Sequence, residues 1–389
     1  MILLKHALAL EGGGARGAYH MGAIKALYEL GYKFDAVSGT SIGSINAAML
    51  AQGSFDTAYE IWENMKYSTI FDIDDEKVNS VRRSGINLDI IRYVSKKLDD
   101  TLKNRGIDTK KMRKLLEENI DEEKIRNSNI LYGLVTVCLT DRKPQELFIN
   151  DIPQGKLIDY IMASSCLPIF KITKIDNKNY LDGGFWDNCP VDMLLHKGYK
   201  DIFVIRVYKV MRIRNYKKII KQKDVTLHMI EPVDRLPSIL SFESKTSNEL
   251  INMGYYDTIK NVKNLDGIRY YIEAKKENYY FDKICNIKEE KIKKIADLLK
   301  IRIVSGDSYK KILLEDILPE LVYKTQVKEA SNYKEVIFAL IEYVAIKENI
   351  HRYQIYEFEE LLELLKKKIV YKNKNRVDEA IYRFVKYIE

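Results

Sequence analysis

The chain opens by making one local pattern twice, and this repetition limits the folds open to it. In LALEGGGARGAYH, residues 8–20, an apolar run meets three consecutive glycines, an arginine and a fourth glycine before a helical stretch. In FDAVSGTSIGSINAA, residues 34–48, a second short apolar run meets another glycine turn and then a helix of small residues. We read strands at 3–10 and 34–38, and helices at 16–30 and 44–52. Strands that pass through a glycine turn into a helix and then into another strand build a parallel sheet, because parallel neighbours need a crossover connection.

The middle of the chain continues that alternation. Helical patterns fall at 56–65, 89–102 and 110–119, and strand-like runs at 131–139, 172–175, 180–181, 202–207 and 226–230. Strands interleaved with helices give an α/β sheet covered on both faces. From about residue 283 the strand signals stop. VIFALIEYVAI, IYEFEELLELLKKKIV and VDEAIYRFVKYIE place apolar residues three and four apart, the period of amphipathic helices. We therefore divide the chain into an α/β domain at 1–282, with a mainly helical insertion at about 55–128, and a helical C-terminal domain at 283–389. No period of 20 to 50 residues marks a solenoid.

With 389 residues and 46% apolar content the chain can bury a substantial core, which excludes a disordered protein. Its +8 charge comes from 64 basic and 56 acidic residues, a mild excess that suits an anionic surface but gives no reason to expect nucleic acid. Cys138, Cys166, Cys189 and Cys285 form no C-x-x-C pair and read as reduced thiols. The leading apolar run, 2–4, is broken by Lys5 and falls short of the roughly 7 to 15 residues of a signal peptide. No stretch approaches the ~18 apolar residues of a membrane span, so the expected location is cytoplasmic with at most peripheral membrane contact. Composition leaves the oligomeric state open.

Gly12, Gly14 and Gly17 fit G-x-G-x-x-G spacing between a strand and a helix, the setting of a dinucleotide-binding turn. The same unpaired amides at a helix N-terminus also suit an oxyanion hole. The loop by itself fits both. The dinucleotide reading further requires an acid at the end of the second strand, and Asp35 starts that strand instead. Gly39, Ser41 and Gly43 have G-x-S-x-G spacing between a strand and a helix, the context in which a sharp turn lifts a serine oxygen to the end of a sheet.

A nucleophilic serine needs a base. His6, His20, His196, His228 and His351 follow no motif, and each reads as structural or solvated. Asp182, in NYLDGGFWDNCPV, follows a short apolar strand and precedes Gly183 and Gly184. Asp-Gly is a common hairpin signal, but DNKN at 176–179 already supplies the turn, which leaves Asp182 for chemistry. A solvated aspartate titrates near ~3.9, so burial beside the serine must raise its proton affinity.

Gly12-Gly13-Gly14-Ala15-Arg16-Gly17, Gly39-Thr40-Ser41-Ile42-Gly43 and Asp182-Gly183-Gly184, in this order, resemble the patatin-like phospholipases, as do the flanking segments ASSCLPIF and NCPV. The resemblance covers about residues 5–265. It implies a three-layer α/β/α sandwich, Ser41 as nucleophile, Asp182 as its base in a dyad, and an oxyanion hole from the glycine loop around Gly13 and Gly14. The implied activity is hydrolysis of carboxylic esters of phospholipids or related acyl esters through an acyl-enzyme, with no cofactor and no metal. Relatives often carry alanine where this chain has Gly184. Two other readings stand beside it: a non-catalytic lipid-binding protein and, on the 12–17 loop, a dinucleotide-dependent enzyme. Arg16 positions the loop, meets an anionic headgroup or is solvated. Residues 206–223 hold eight lysines or arginines and no acid. Among them Arg212, Arg214, Lys217 and Lys218 are the expected membrane contact, by analogy with basic surface segments.

Overall fold

The computed structural model describes residues 5–71, 75, 108–167, 170, 172–209, 213–325, 330, 332–371 and 374–388. The helix expected at 89–102, much of the 55–128 insertion, and Arg212 lie outside the described residues. The contacts group the chain into two compact units, Met1–Ile259 and Lys260–Glu389.

The first unit runs β1 (His6–Leu10), α1 (Gly17–Glu29), β2 (Ala36–Thr40), α2 (Ile42–Ala51), α3 (Phe55–Glu63), α4 (Tyr67–Ile70), α5 (Lys110–Asn119), α6 (Glu122–Arg126), β3 (Leu131–Cys138), β4 (Lys143–Phe148), α7 (Leu157–Ser164), β5 (Thr173–Ile175), β6 (Lys178–Asp182), α8 (Val191–His196), β7 (Asp201–Ile205), α9 (Tyr216–Ile219) and β8 (Thr226–Ile230). Then α10 (Ser244–Lys263) leads into the second unit. The strands join in the order β5-β6-β3-β2-β1-β7-β8, with β4 on β3. The core β3-β2-β1-β7-β8 is parallel, and helices cover both faces, as the alternation predicts. The central strands are buried on both faces: every residue of β2, AVSGT, is buried, as are the last four of β1.

The turn assigned to DNKN is a two-residue hairpin. Asp176 and Asn177 both have positive φ, 47° and 64°, between the paired Ile175 and Lys178. Two positive φ values match the right-handed twist of the flanking strands.

A buried ion pair ties together the carboxyl ends of β1 and β7. Glu11, 1% exposed, accepts hydrogen bonds from the amides of Val207 (2.7 Å) and Tyr208 (3.0 Å) and pairs with Arg206 at 3.3 Å. Arg206 also reaches Glu231 at 2.7 Å, just past β8. Burial raises the proton affinity of Glu11, and Arg206 and the two amides pull it back.

In the second unit a two-stranded parallel ribbon, β9 (Tyr271–Ile272) with β10 (Ile355–Tyr356), accompanies α11 (Glu277–Cys285), α12 (Glu289–Leu299), α13 (Tyr309–Ile312), a π-helical turn at Leu313–Ile317, α14 (Leu318–Thr325), α15 (Tyr333–Lys347), α16 (Phe358–Lys368) and α17 (Arg376–Tyr387). The last three helices fall on the three amphipathic stretches of the sequence. Their apolar faces, including Phe338, Ile341, Phe358, Leu361 and Phe384, share one core. Inside it Glu342 caps the amides of Ile268 and Arg269 at 2.6 Å each.

Replacing Arg206 with methionine strands the Glu11 carboxylate, a change that costs about 3 kcal/mol for buried pairs. Without its cation the carboxyl titrates still higher in the native state, so the native protein binds more protons than the unfolded chain. Stability then falls as pH rises. Urea unfolding of Arg206→Met is expected to show a larger loss at pH 7.5 than at pH 5; an equal loss at both would contradict the ion-pair account.

Candidate active site

Ser41 occupies the single residue between β2 and α2, with φ 53° and ψ −127°, a conformation that favours glycine. The neighbouring glycines make this turn possible: a Cβ on Gly39 would lie 2.1 Å from the Gly43 carbonyl oxygen. Two serines hold the turn. Ser41 N donates to Ser164 Oγ at 3.0 Å, and Ser164 Oγ donates to Val135 O at 2.7 Å. Ser44 Oγ donates to Ser41 O at 2.7 Å.

Sheet register brings Asp182 to this serine. On one edge of β3, β2 pairs with residues 131–135 and ends at Thr40 opposite Val135. On that same edge β6 takes over at the next residue, with Asp182 opposite Thr136. The other edge is occupied by β4 over 133–138. β2 and β6 therefore meet end to end, and Ser41 and Asp182 are the residues at the junction. Gly183 makes the crossing there, since a Cβ would lie 2.1 Å from Val135 O.

Asp182 is 2% exposed. Its N donates to Cys166 O at 2.9 Å, its Oδ1 accepts from Gly184 N at 2.8 Å, and its buried Oδ2 accepts no hydrogen bond of ordinary geometry among the described residues. Burial pushes its pKa up to about 6, while the Gly184 amide and the Ser41 hydroxyl favour the charged form. Five residues on, burial pushes Asp187 up to about 7.

In the glycine loop most amides are spent. Gly12 N donates to Asn188 O (2.9 Å), Ala15 N to Ile239 O (2.8 Å) and Arg16 N to Gly13 O (3.2 Å). Gly13 N and Gly14 N have no partner among the described residues. Gly14 has φ +57°, and Gly17 starts α1. Arg16, partly buried, is held by the chain itself. Its guanidinium donates to the carbonyls of Pro237, Val207 and Leu236 at 2.8, 3.2 and 3.4 Å and stacks on Tyr208.

Three of the five histidines are held in structural contacts, and Asp35 is far from the loop. His6 and His228 both pair with Asp201, at 3.0 and 3.1 Å. His20 is fully buried against Asn46, its pKa pushed down to about 3 by burial. Asp35 precedes β2 at the amino end of the sheet, opposite the end that carries the glycine loop, so the acid that a dinucleotide site needs is misplaced.

The basic segment divides. Arg214 pairs with Glu146 at 2.9 Å and stacks on Trp186, close to the Asp182 loop. Lys217 and Lys218 lie on α9, and Lys218 shares a surface pocket with Lys200, at the amino end of β7.

Sequence reading missed the supports. Asn188, whose Nδ2 donates to Gly12 O at 3.0 Å, and Ser164 both fall in the flanking segments NCPV and ASSCLPIF, which carried the signal without revealing their roles. It also missed the pocket beside Ser41. About 840 Å³ of empty space, partly open to solvent, is lined almost wholly by apolar side chains of α2, α3, α4 and α5 together with Leu167, Phe170, Ile239, Leu240 and Phe242.

A parallel sheet with a strained serine at a strand-to-helix turn and a buried carboxyl at the facing strand end defines an α/β domain of the nucleophile-elbow type. Residues 8–195 match the family model for patatin-like phospholipase, and this part of the chain is a patatin-like phospholipase domain. The lysophospholipase NTE1 of Kluyveromyces lactis is 31% identical over 206 residues, 52% of this chain and 12% of that protein. The probable lipid hydrolase 463L of invertebrate iridescent virus 6 is 26% identical over 192 residues, 48% of this chain and 62% of that protein. The chain thus spans less than two thirds of either relative. VipD from Legionella pneumophila aligns with a TM-score of 0.39 and 15% identity, over 98% of this chain and 90% of that one.

If the Ser41 backbone is strained, glycine relieves the strain and alanine does not. Ser41→Gly is expected to be about 1 kcal/mol more stable than Ser41→Ala in chemical unfolding. Equal stability would mean that the turn carries no such strain.

Proposed function

We propose that this chain is a lipid acyl hydrolase that cleaves carboxylic esters of phospholipids or related acyl esters through a Ser41-Asp182 dyad. The observation that carries the reading is the meeting of Ser41 and a buried carboxyl of raised pKa beside an apolar pocket. Asp182, ionised at neutral pH, takes the Ser41 proton as Oγ attacks the ester carbonyl. The oxygen then carries the negative charge, and the unpaired amides of Gly13 and Gly14 are the donors for it, with the rest of Gly12 to Gly17 holding them in place. Collapse of the tetrahedral intermediate breaks the ester C–O bond. Asp182 returns the proton to the leaving alkoxide, and Ser41 keeps the acyl group. Water, deprotonated by Asp182, attacks the acyl-enzyme and releases the fatty acid.

The residues given these roles all fall within the unit Met1–Ile259. The proposed substrate lies in a lipid surface, so we place the protein in the cytoplasm with peripheral membrane contact. No described helix is long and apolar enough to cross a membrane. All four cysteines are free thiols.

A fluorophosphonate, which phosphonylates activated serines, tests the dyad by intact mass. The expected result is one adduct on wild type, none on Ser41→Ala, and labelling at least about 100-fold slower on Asp182→Asn. An adduct surviving in Ser41→Ala, or a folded wild type that never labels, would turn the reading toward a lipid-binding protein.

Because the base must be ionised and its pKa lies near 6, the labelling rate is expected to drop about tenfold per pH unit below that point and to level off above it. A rate independent of pH between 4.5 and 8 would remove Asp182 from the proton-accepting role.

A further inference from the structure

The pocket beside Ser41 follows one face of α2, and its length is set by that helix. Ser41, Ile42, Ile45, Asn46 and Met49 line it, a spacing that keeps one stripe of the helix turned inward. Eight residues separate Ser41 from Met49, so the stripe extends about 12 Å at ~1.5 Å per residue. Asn46 interrupts the apolar run without offering a free polar group. Its Nδ2 donates to Gly17 O at 3.0 Å, and its Oδ1 accepts from Trp62 Nε1 at 3.0 Å.

At the Met49 end described side chains wall the pocket: Met49, Leu116 and Ile120 are buried, between 3% and 8% exposed, and Met49 Sδ lies 3.7 Å from Gln52 Nε2. Hydrogen bonds hold α2 to the end of α5 at this point: Gln52 Nε2 donates to Asn119 O at 2.7 Å, and Asp121 N donates to Gln52 Oε1 at 2.9 Å. An all-trans hydrocarbon advances about 1.25 Å per carbon, given C–C bonds of ~1.5 Å. The 12 Å stripe therefore takes about ten carbons.

We propose that Met49 and Leu116 form a chain-length stop, so that the pocket receives an acyl group of about eight to ten carbons extended from Ser41 and discriminates against longer ones. The proposal rests on the acyl hydrolase reading for its substrate and on the pocket alone for its length. Methionine suits the position, since its unbranched thioether fills an irregular end wall. Below the stop each added methylene is buried, which raises affinity about fourfold per carbon; beyond it the gain ends.

Two measurements on the full chain separate the stop from the chemistry. Saturated fatty acids of six to sixteen carbons, below their micelle concentrations, are titrated into Ser41→Ala, and p-nitrophenyl esters of the same lengths are offered to the otherwise wild-type enzyme. Affinity and kcat/KM are expected to climb to about ten carbons and then flatten or fall. Added to each background, Met49→Phe is expected to move the break at least two carbons shorter and Leu116→Ala to move it longer. An unbroken rise to sixteen carbons, no fatty-acid binding at any length, or a break unmoved in both folded variants would overturn the stop. A break in fatty-acid binding without any ester hydrolysis supports the stop while defeating the hydrolase reading. Hydrolysis with no break does the reverse.

Discussion

One edge of a single strand organises this domain. β3 presents a continuous line of hydrogen-bonding groups, and two different strands share it, β2 as far as Val135 and β6 from Thr136 onward. Since the first runs parallel to β3 and the second antiparallel, their ends converge. The serine and the aspartate meet because backbone pairing leaves them nowhere else to go. A side chain at Gly183 would collide with the Val135 carbonyl and force this junction apart.

The other parts assemble around that junction with main-chain precision. The turn at Ser41 stores local strain, which persists only where the surroundings over-determine it, and here Ser164, Ser44 and Thr40 each contribute a hydroxyl hydrogen bond. Low exposure does the electrostatic work. A carboxyl in water would be too weak a base at neutral pH, and removing the solvent raises Asp182 without any neighbouring charge among the causes of its shift.

How much of this the sequence discloses depends on the range of each interaction. The two strand-to-helix turns, the DNKN hairpin, and the amphipathic tail are local patterns, and all appear where the residues place them. The glycine loop and the Ser41 turn were legible because unusual backbone conformations restrict residue type, whereas Asp182, with ordinary extended backbone, was picked out by the glycines that follow it. The end-to-end meeting of β2 and β6 was not legible, since it depends on the register of both against β3, from partners 95 and 46 residues away in the chain. Nor was the pocket, whose walls come from four helices and two loops that each read as ordinary amphipathic segments. The grouping of residues 260–282 with the tail has a similar cause: β9 is two residues long, and its pairing with β10 leaves almost no periodicity to detect. Arg214 read as part of a basic run, but Glu146 and Trp186 claim it from distant parts of the chain.

The segment at residues 236–239 has two duties that fall on different atoms. Its backbone carbonyls fix Ala15 and Arg16, whereas the side chain of Ile239 faces the pocket beside Ser41. Every residue type supplies the same carbonyl. Substitutions at 239 can therefore reshape what the domain accepts while the glycine loop keeps its anchors, and selectivity is free to drift over evolutionary time without eroding the apparatus that performs the reaction.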